Sequence, residues 1–226
     1  MTNPVGDLAR IPGIPVAVWE NTVQRRALGA SVRALLDVIV RTGADPDELA
    51  EAAETIDRLT ARLSASTFAR TLDVTIDSCR AQLSLVGGLS HPVAPQLQMT
   101  PTETGCEGVI AIGPAFEGGP GLVHGGVLGL LFDHAMAYAA ASAGRTTSGQ
   151  PWSAQPVMTG KLNITYRRPT PINAQLTVTA AVDRVDGRKL HVSASISAGG
   201  QATTDANALF IALTQENIDT VFRAVG

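Results

Sequence analysis

The sequence predicts an α+β fold: an antiparallel sheet wrapped around one long central helix, preceded by an N-terminal helical extension. Three observations predict it. Residues 118–144 read GGPGLVHGGVLGLLFDHAMAYAAASAG, an apolar, alanine-rich run long enough for about five helical turns. Two short β-rich segments precede this run, and about four segments with period-two alternation follow it. Each later segment has one apolar face, and the run is the only large apolar cover available, so the helix belongs inside the sheet.

Residues 1–18 carry Pro4, Pro12 and Pro15 and read as an irregular leader. From 20 to 41, Val23, Ala27, Ala30, Ala34, Leu35 and Val38 follow helical spacing, and Gly43 suits a C-cap. Asp45-Pro46-Asp47-Glu48 then reads as a helix start, with Asp as N-cap, Pro in the first turn and acids at the positive end. That helix reaches about residue 63, with Leu49, Ala52, Ala53, Ile56, Leu59 and Leu63 on one face. The two make a helical hairpin with few large apolar residues, expected to pack on the rest of the chain as a docking arm or oligomer contact rather than a lid. Residues 1–65 form this extension, 66–92 a wrapping linker, 93–214 the main domain and 215–226 a tail.

Within the linker, 71–76 and 83–86 suit short strands, while Gly87, Gly88, Pro92 and Pro95 mark irregular chain. Strands are expected at 96–100 and 108–112, with a turn through Thr104-Gly105. After the long helix comes a Gly/Ser/Thr-rich loop at 144–156. In the strand at 159–167, Leu162, Ile164 and Tyr166 share one face and Lys161, Asn163 and Thr165 the other. Pro169 and Pro171 end it. Strands at 175–185 and 189–197 follow, joined by an Asp186-Gly187 hairpin; Gly199-Gly200 leads to a last strand at 202–213.

Charged residues are 16% and the net charge is −3, which leaves no electrostatic footprint for nucleic acid or an anionic membrane. Cys79 and Cys106 lie far apart in no metal spacing, as expected of free thiols in a reducing compartment. Asp133 and His134 break the most apolar window, which argues against a membrane span. MTNPVGDLAR lacks a basic start followed by an apolar run, so no signal peptide is expected and a cytoplasmic location is.

The chemistry concentrates in residues 118–144. Asp133 is the only acid there, and an unpaired carboxylate on so apolar a helix is costly without a role. The first amides of a helix point outward unpaired, and Gly125 and Gly126 let a ligand approach them closely. Such donors suit the charge that grows on oxygen when a carbonyl is attacked. His124 reads as a residue fixing the loop, and His134, next to Asp133, faces elsewhere on the helix as a core or interface histidine. His91 and His191 read as surface residues.

With HGG followed by an acid nine residues after its His, then NITYRRPTP and a DG hairpin, the chain resembles the hotdog-fold acyl-CoA thioesterases. It is most similar to the phenylacetate-pathway (PaaI-like) type and to the human thioesterase superfamily member 4 group. The matching stretches are GPAFEGGPGLVHGGVLGLLFDHAMAYAA, MTGKLNITYRRPTPI and VDGRKLHVSASI, covering roughly 93–214. The resemblance implies a hotdog fold, hydrolysis of acyl-CoA to free acid and coenzyme A, and a place in fatty acid metabolism. The sequence offers no ligand cluster, so no metal and no cofactor beyond the coenzyme A of the substrate is expected. Asp133 matches the general base or nucleophile, Gly125 the amide that binds the thioester oxygen, His124 the motif histidine and Thr159 a residue that helps hold the water. The loop Glu117-Gly118-Gly119-Pro120 departs from relatives that carry Asn or Gln there. Gly126, Asn163, Arg167, Arg168 and Arg188 are candidates for binding substrate, the arginines through phosphate, with Arg184 and Lys189 behind them; Asn163 also reads as structural.

Gly125 and Asp133 are eight residues apart, roughly 12 Å along a helix, too far for both to serve one thioester. Two antiparallel helices related by a two-fold axis solve this, with Gly125 from one chain and Asp133 and Thr159 from its partner. A homodimer or dimer of dimers is therefore expected. Two other classes stay open: a hotdog enoyl-thioester hydratase or dehydratase, and a non-catalytic acyl-CoA-binding or regulatory protein.

Overall fold

A computed structural model of the protein describes residues 22–66, 84–143, 156–214 and 216–217. The expected leader at 1–18, the strand at 71–76, the loop at 144–155, Cys79 and most of the tail lie outside the described residues.

Helix α1 (Thr22–Ile39) and helix α2 (Pro46–Ser64) are both present; α1 ends at Ile39, four residues before Gly43, which is therefore not its C-cap. The Asp45 side chain accepts from the Asp47 and Glu48 amides at 3.0 and 2.9 Å, which starts α2 as its sequence predicts. α1 rests on the chain at 89–91: Arg33 donates to the His91 carbonyl at 2.6 Å, and a Cβ on Gly29 would come within 2.9 Å of the Ser90 carbonyl oxygen. α2 buries no residue; Leu49, Ile56 and Leu63 stay exposed.

The sheet has six antiparallel strands in the order β1-β2-β4-β5-β6-β3. These are β1 (Thr100–Pro101), β2 (Cys106–Ala111), β3 (Val157–Tyr166), β4 (Gln175–Asp186), β5 (Lys189–Ala198) and β6 (Gln201–Ala212). Its concave face wraps helix α3 (Gly125–Ala143), giving the hotdog architecture. Leu128, Leu131, Phe132, Ala135, Met136, Ala139 and Ala140 recur at helical spacing and are buried. They meet Leu176, Val178, Val192, Ile196 and Phe210, the inward positions of strands that alternate as expected. The tight turns use Gly187 at φ +57° and the pair Gly199 and Gly200 at +55° and +77°, backbone that glycine adopts without strain.

Two strand expectations need correction. Residues 84–88 fold as a turn closed by the Gly88 amide on the Ser84 carbonyl at 3.0 Å, which Gly87-Gly88 permits. The strand expected at 96–100 shrinks to Thr100–Pro101. The Gln96 and Leu97 amides both donate to the Val86 carbonyl, at 2.8 and 3.2 Å, so this stretch spends its donors on the preceding turn and not on the sheet. Leu97 and Val86 are nonetheless core residues. Cys106 is buried beneath α3, and burial pushes its thiol up to about 11.

Candidate active site

The approach to α3 is a compact turn. Pro114–Phe116 forms one 3-10 turn, and residues 117–123 fold back as a small hairpin in which the Gly118 amide donates to the Leu122 carbonyl at 2.9 Å. The Glu117 carboxylate accepts from the Gly121 amide. That amide, then Arg41, holds the Glu117 carboxyl below the usual carboxylate range. Glu117 thus spends its side chain on its own loop. The hairpin ends against the sheet through the Val123 amide on the Thr170 carbonyl at 2.9 Å.

His124 then turns the chain into the helix. Its amide donates to the Phe116 carbonyl at 2.9 Å, and its Nδ1 accepts from the Gly126 amide at 3.0 Å. The ring is therefore the N-cap of α3, with Nδ1 unprotonated. Only glycine fits at 118, where a Cβ would lie 2.9 Å from His124 Cα. Of the two motif glycines, Gly126 has its amide occupied by His124, whereas the Gly125 amide has no partner among the described residues. Tyr166 Oη donates to the Gly125 carbonyl at 3.0 Å and packs beside Gly125.

Two turns along α3, half-buried Asp133 Oδ1 accepts from Thr159 Oγ1 at 2.6 Å. Alternation counted from Lys161 would turn Thr159 to the outer face. A bulge at Gly160 prevents this: Lys161 pairs with Leu209, Thr159 pairs with the inward-facing Phe210, and Gly160 is the extra residue. His134 points away from this pair. Burial pulls its imidazole below the ordinary value, partly offset by the Asp133 charge and by its hydrogen bond to the Leu97 backbone.

The other candidates lie apart. Asn163 pairs with Asn207 and shares the outer face of the sheet. Arg167 is bonded to Asp205 and lines a polar hollow of about 640 Å³ on that outer face. Arg168 donates to Gln201 at 3.3 Å, and Arg188 to Asn217 at 2.6 Å. The Arg168 amide bonds the Thr203 carbonyl and the Arg188 carbonyl accepts from Ala212, so these two sit at opposite ends of β6, roughly 30 Å apart along the strand. A single chain does not bring them to one ligand. Arg184 is engaged with His191. Among the described residues, no group of three or more His, Cys, Asp or Glu is placed to hold a metal, and no helix is long and apolar enough to cross a membrane.

Sequence reading did not single out Tyr166 as a candidate, although it closes the series Leu162, Ile164, Tyr166 on one face and meets Gly125 in the structure. It also missed the bulge, whose signal is a glycine inside a strand pattern.

Residues 120–204 match the thioesterase superfamily. The chain is 34% identical over 110 residues to acyl-coenzyme A thioesterase THEM4 of Bos taurus, covering 48% of this chain and 41% of that protein. It is 36% identical over 102 residues to the THEM4 of Mus musculus, covering 44% and 40%. The chain thus spans about two fifths of the length of these curated relatives. A crystal structure of a thioesterase superfamily protein superimposes with a TM-score of 0.70 at 27% identity, covering 83% of this chain and 90% of that one.

Proposed function

From the thioesterase-superfamily domain that this chain carries at residues 120–204, we propose that the protein hydrolyses acyl-coenzyme A thioesters, at a site completed by two copies of the chain. The observation that carries this reading is the layout along β3. The Gly125 amide, unpartnered among the described residues, stands by Tyr166, and the Asp133–Thr159 pair lies eight residues on along α3, roughly 12 Å away, with Thr159 and Tyr166 about 20 Å apart along β3. Among the described residues β3 is an edge of the sheet, with no strand on its outer side. A second β3 laid antiparallel on that edge, centred between residues 159 and 166, sets the Thr159 end of one chain beside the Tyr166 end of the other. Edge strands are open to such pairing. The names of the curated relatives support acyl-CoA as the substrate class.

In this mechanism the thioester oxygen accepts from the Gly125 amide of one chain, and α3's aligned dipoles favour the charge that develops there. Asp133 of the other chain takes a proton from water as its oxygen bonds the carbonyl carbon, or attacks that carbon itself. Thr159 fixes one carboxylate oxygen and leaves the second free for this step. The C–S bond then breaks and the sulfur takes a proton, giving the coenzyme A thiol; on the water path the acid is released in the same step, and on the direct path water then cleaves the mixed anhydride on Asp133 to give free acid. Arg167 and Arg168 follow Tyr166 at the Gly125 end of β3 and are the nearer candidates for the substrate's phosphates. The test is thiol release surveyed over short, medium, long and aromatic acyl-CoAs. Turnover of at least one class is expected; no release from any contradicts the reading.

A further inference from the structure

We infer that α1 is a positioning element of the thioester site and that Asp37 is the positioning residue through which it acts, an inference that rests on the site assignment above. Asp37 Oδ1 accepts from the Ala115 amide at 2.9 Å, in the 3-10 turn before the hairpin. The approach requires Gly113, where a Cβ would stand 2.7 Å from Asp37 Oδ2. Just past the end of α1, Arg41 pairs with Glu117 at 3.3 Å, and Glu117 holds the Gly121 amide.

From these anchors the chain runs to the Gly125 amide through direct contacts. The Phe116 carbonyl holds the His124 amide at 2.9 Å, Gly118 abuts His124, and the His124 ring holds the Gly126 amide at 3.0 Å. Apolar contact at this end of α1 is partial, with Leu36 half-buried beside the turn. Leu35, Val38 and Ile39 are 40%, 61% and 49% exposed, and a cavity of about 210 Å³ remains between α1 and the turn, lined by Leu36, Asp37, Ile112 and Phe116 among others. The polar pairs therefore set where the turn stands. A displacement of about 1 Å at a reacting centre can lower turnover a hundredfold, so a small shift at Ala115 is enough to matter. α1 lies outside residues 120–204, so this assigns a catalytic consequence to the extension.

The experiment uses the full chain and two readouts: thioesterase kinetics, and hydrogen exchange over residues 114–126 by mass spectrometry. Asp37→Ala is expected to lower kcat about ten- to hundredfold with KM within about threefold, and to speed exchange over 114–126. Asp37→Asn keeps an acceptor oxygen and should retain kcat within about threefold. Gly113→Ala should mimic Asp37→Ala, and the double variant should be no worse than either single, because both break one contact. Unchanged exchange in a folded Asp37→Ala protein overturns the inference, as does a kcat loss that Asn fails to rescue. If the wild type hydrolyses no acyl-CoA, the thioesterase reading fails, and exchange alone then decides whether Asp37 fixes the turn.

Discussion

Thr159 Oγ1 donates to Asp133 Oδ1 across 2.6 Å from a strand position that unbroken alternation would turn to the opposite face of the sheet. The pair is the part of the proposed site that the single chain assembles, and its chemistry is open to direct test. Asp133→Asn should lower kcat about 10²–10⁴-fold with substrate affinity largely kept. Thr159→Val should lower kcat by about tenfold while Thr159→Ser retains most of it, since Ser keeps the donor. Steady-state kinetics on folded variants check this, and near-normal turnover of Asp133→Asn returns that residue to a structural role.

The bulge gives a less intuitive expectation. Residues 157–159 already pair with 212–210 as they would without Gly160. Deleting Gly160 should therefore leave Thr159 opposite Phe210 and keep kcat within about tenfold of wild type. Loss as complete as that of Asp133→Asn, in a folded deletion variant, would show that the ladder position does not set the direction of Thr159.

Tyr166 holds the first carbonyl of α3 at 3.0 Å. Tyr166→Phe removes only the hydroxyl, and a hydrogen bond of ordinary net strength corresponds to a loss of about two- to tenfold. The loss should appear in kcat, with thermal stability little changed. An unaltered kcat would remove Tyr166 from the site.

His134 predicts a pH dependence of stability. Burial lowers its folded-state value, so the unfolded chain binds a proton more readily. Its neutral form is compatible with the fold above the ordinary imidazole value of about 6.5, and stability is lost as pH falls below that value. Between about pH 7.5 and 5, wild type should therefore lose more unfolding free energy in urea than His134→Gln does. Equal losses would contradict the account.

How far the sequence could be read follows from the range of its signals. α3, its buried stripe and strands β4 to β6 rest on periodicity inside single elements, and they stand where that periodicity puts them. The segment at 96–100 has strand-like composition, but its amides pair with Val86, a choice made by a turn ten residues upstream that no local pattern encodes. The HGG-to-Asp133 spacing drew attention to α3, whereas spacing alone did not reveal that the His124 ring occupies the Gly126 amide and leaves the Gly125 amide without a partner among the described residues. Thr159 entered through resemblance; strict alternation would have discarded it, because one bulged glycine reverses the face. No sequence pattern singles out Asp37 and Arg41, and only the tertiary fold brings them to Ala115 and Glu117.

The central claim is that one thioester is served by two chains, and complementation measures it directly. Gly125→Val crowds the open amide and presses on Tyr166, whereas Asp133→Asn removes the acid. Each homodimer should be inactive. The two chains would be unfolded together, refolded as a mixture and assayed for thiol release. Random pairing makes half the dimers mixed, and each mixed dimer regains one intact site, so the mixture should recover roughly a quarter of wild-type activity. A mixture as inactive as its parents, with mixed dimers shown to form, would contradict the shared site.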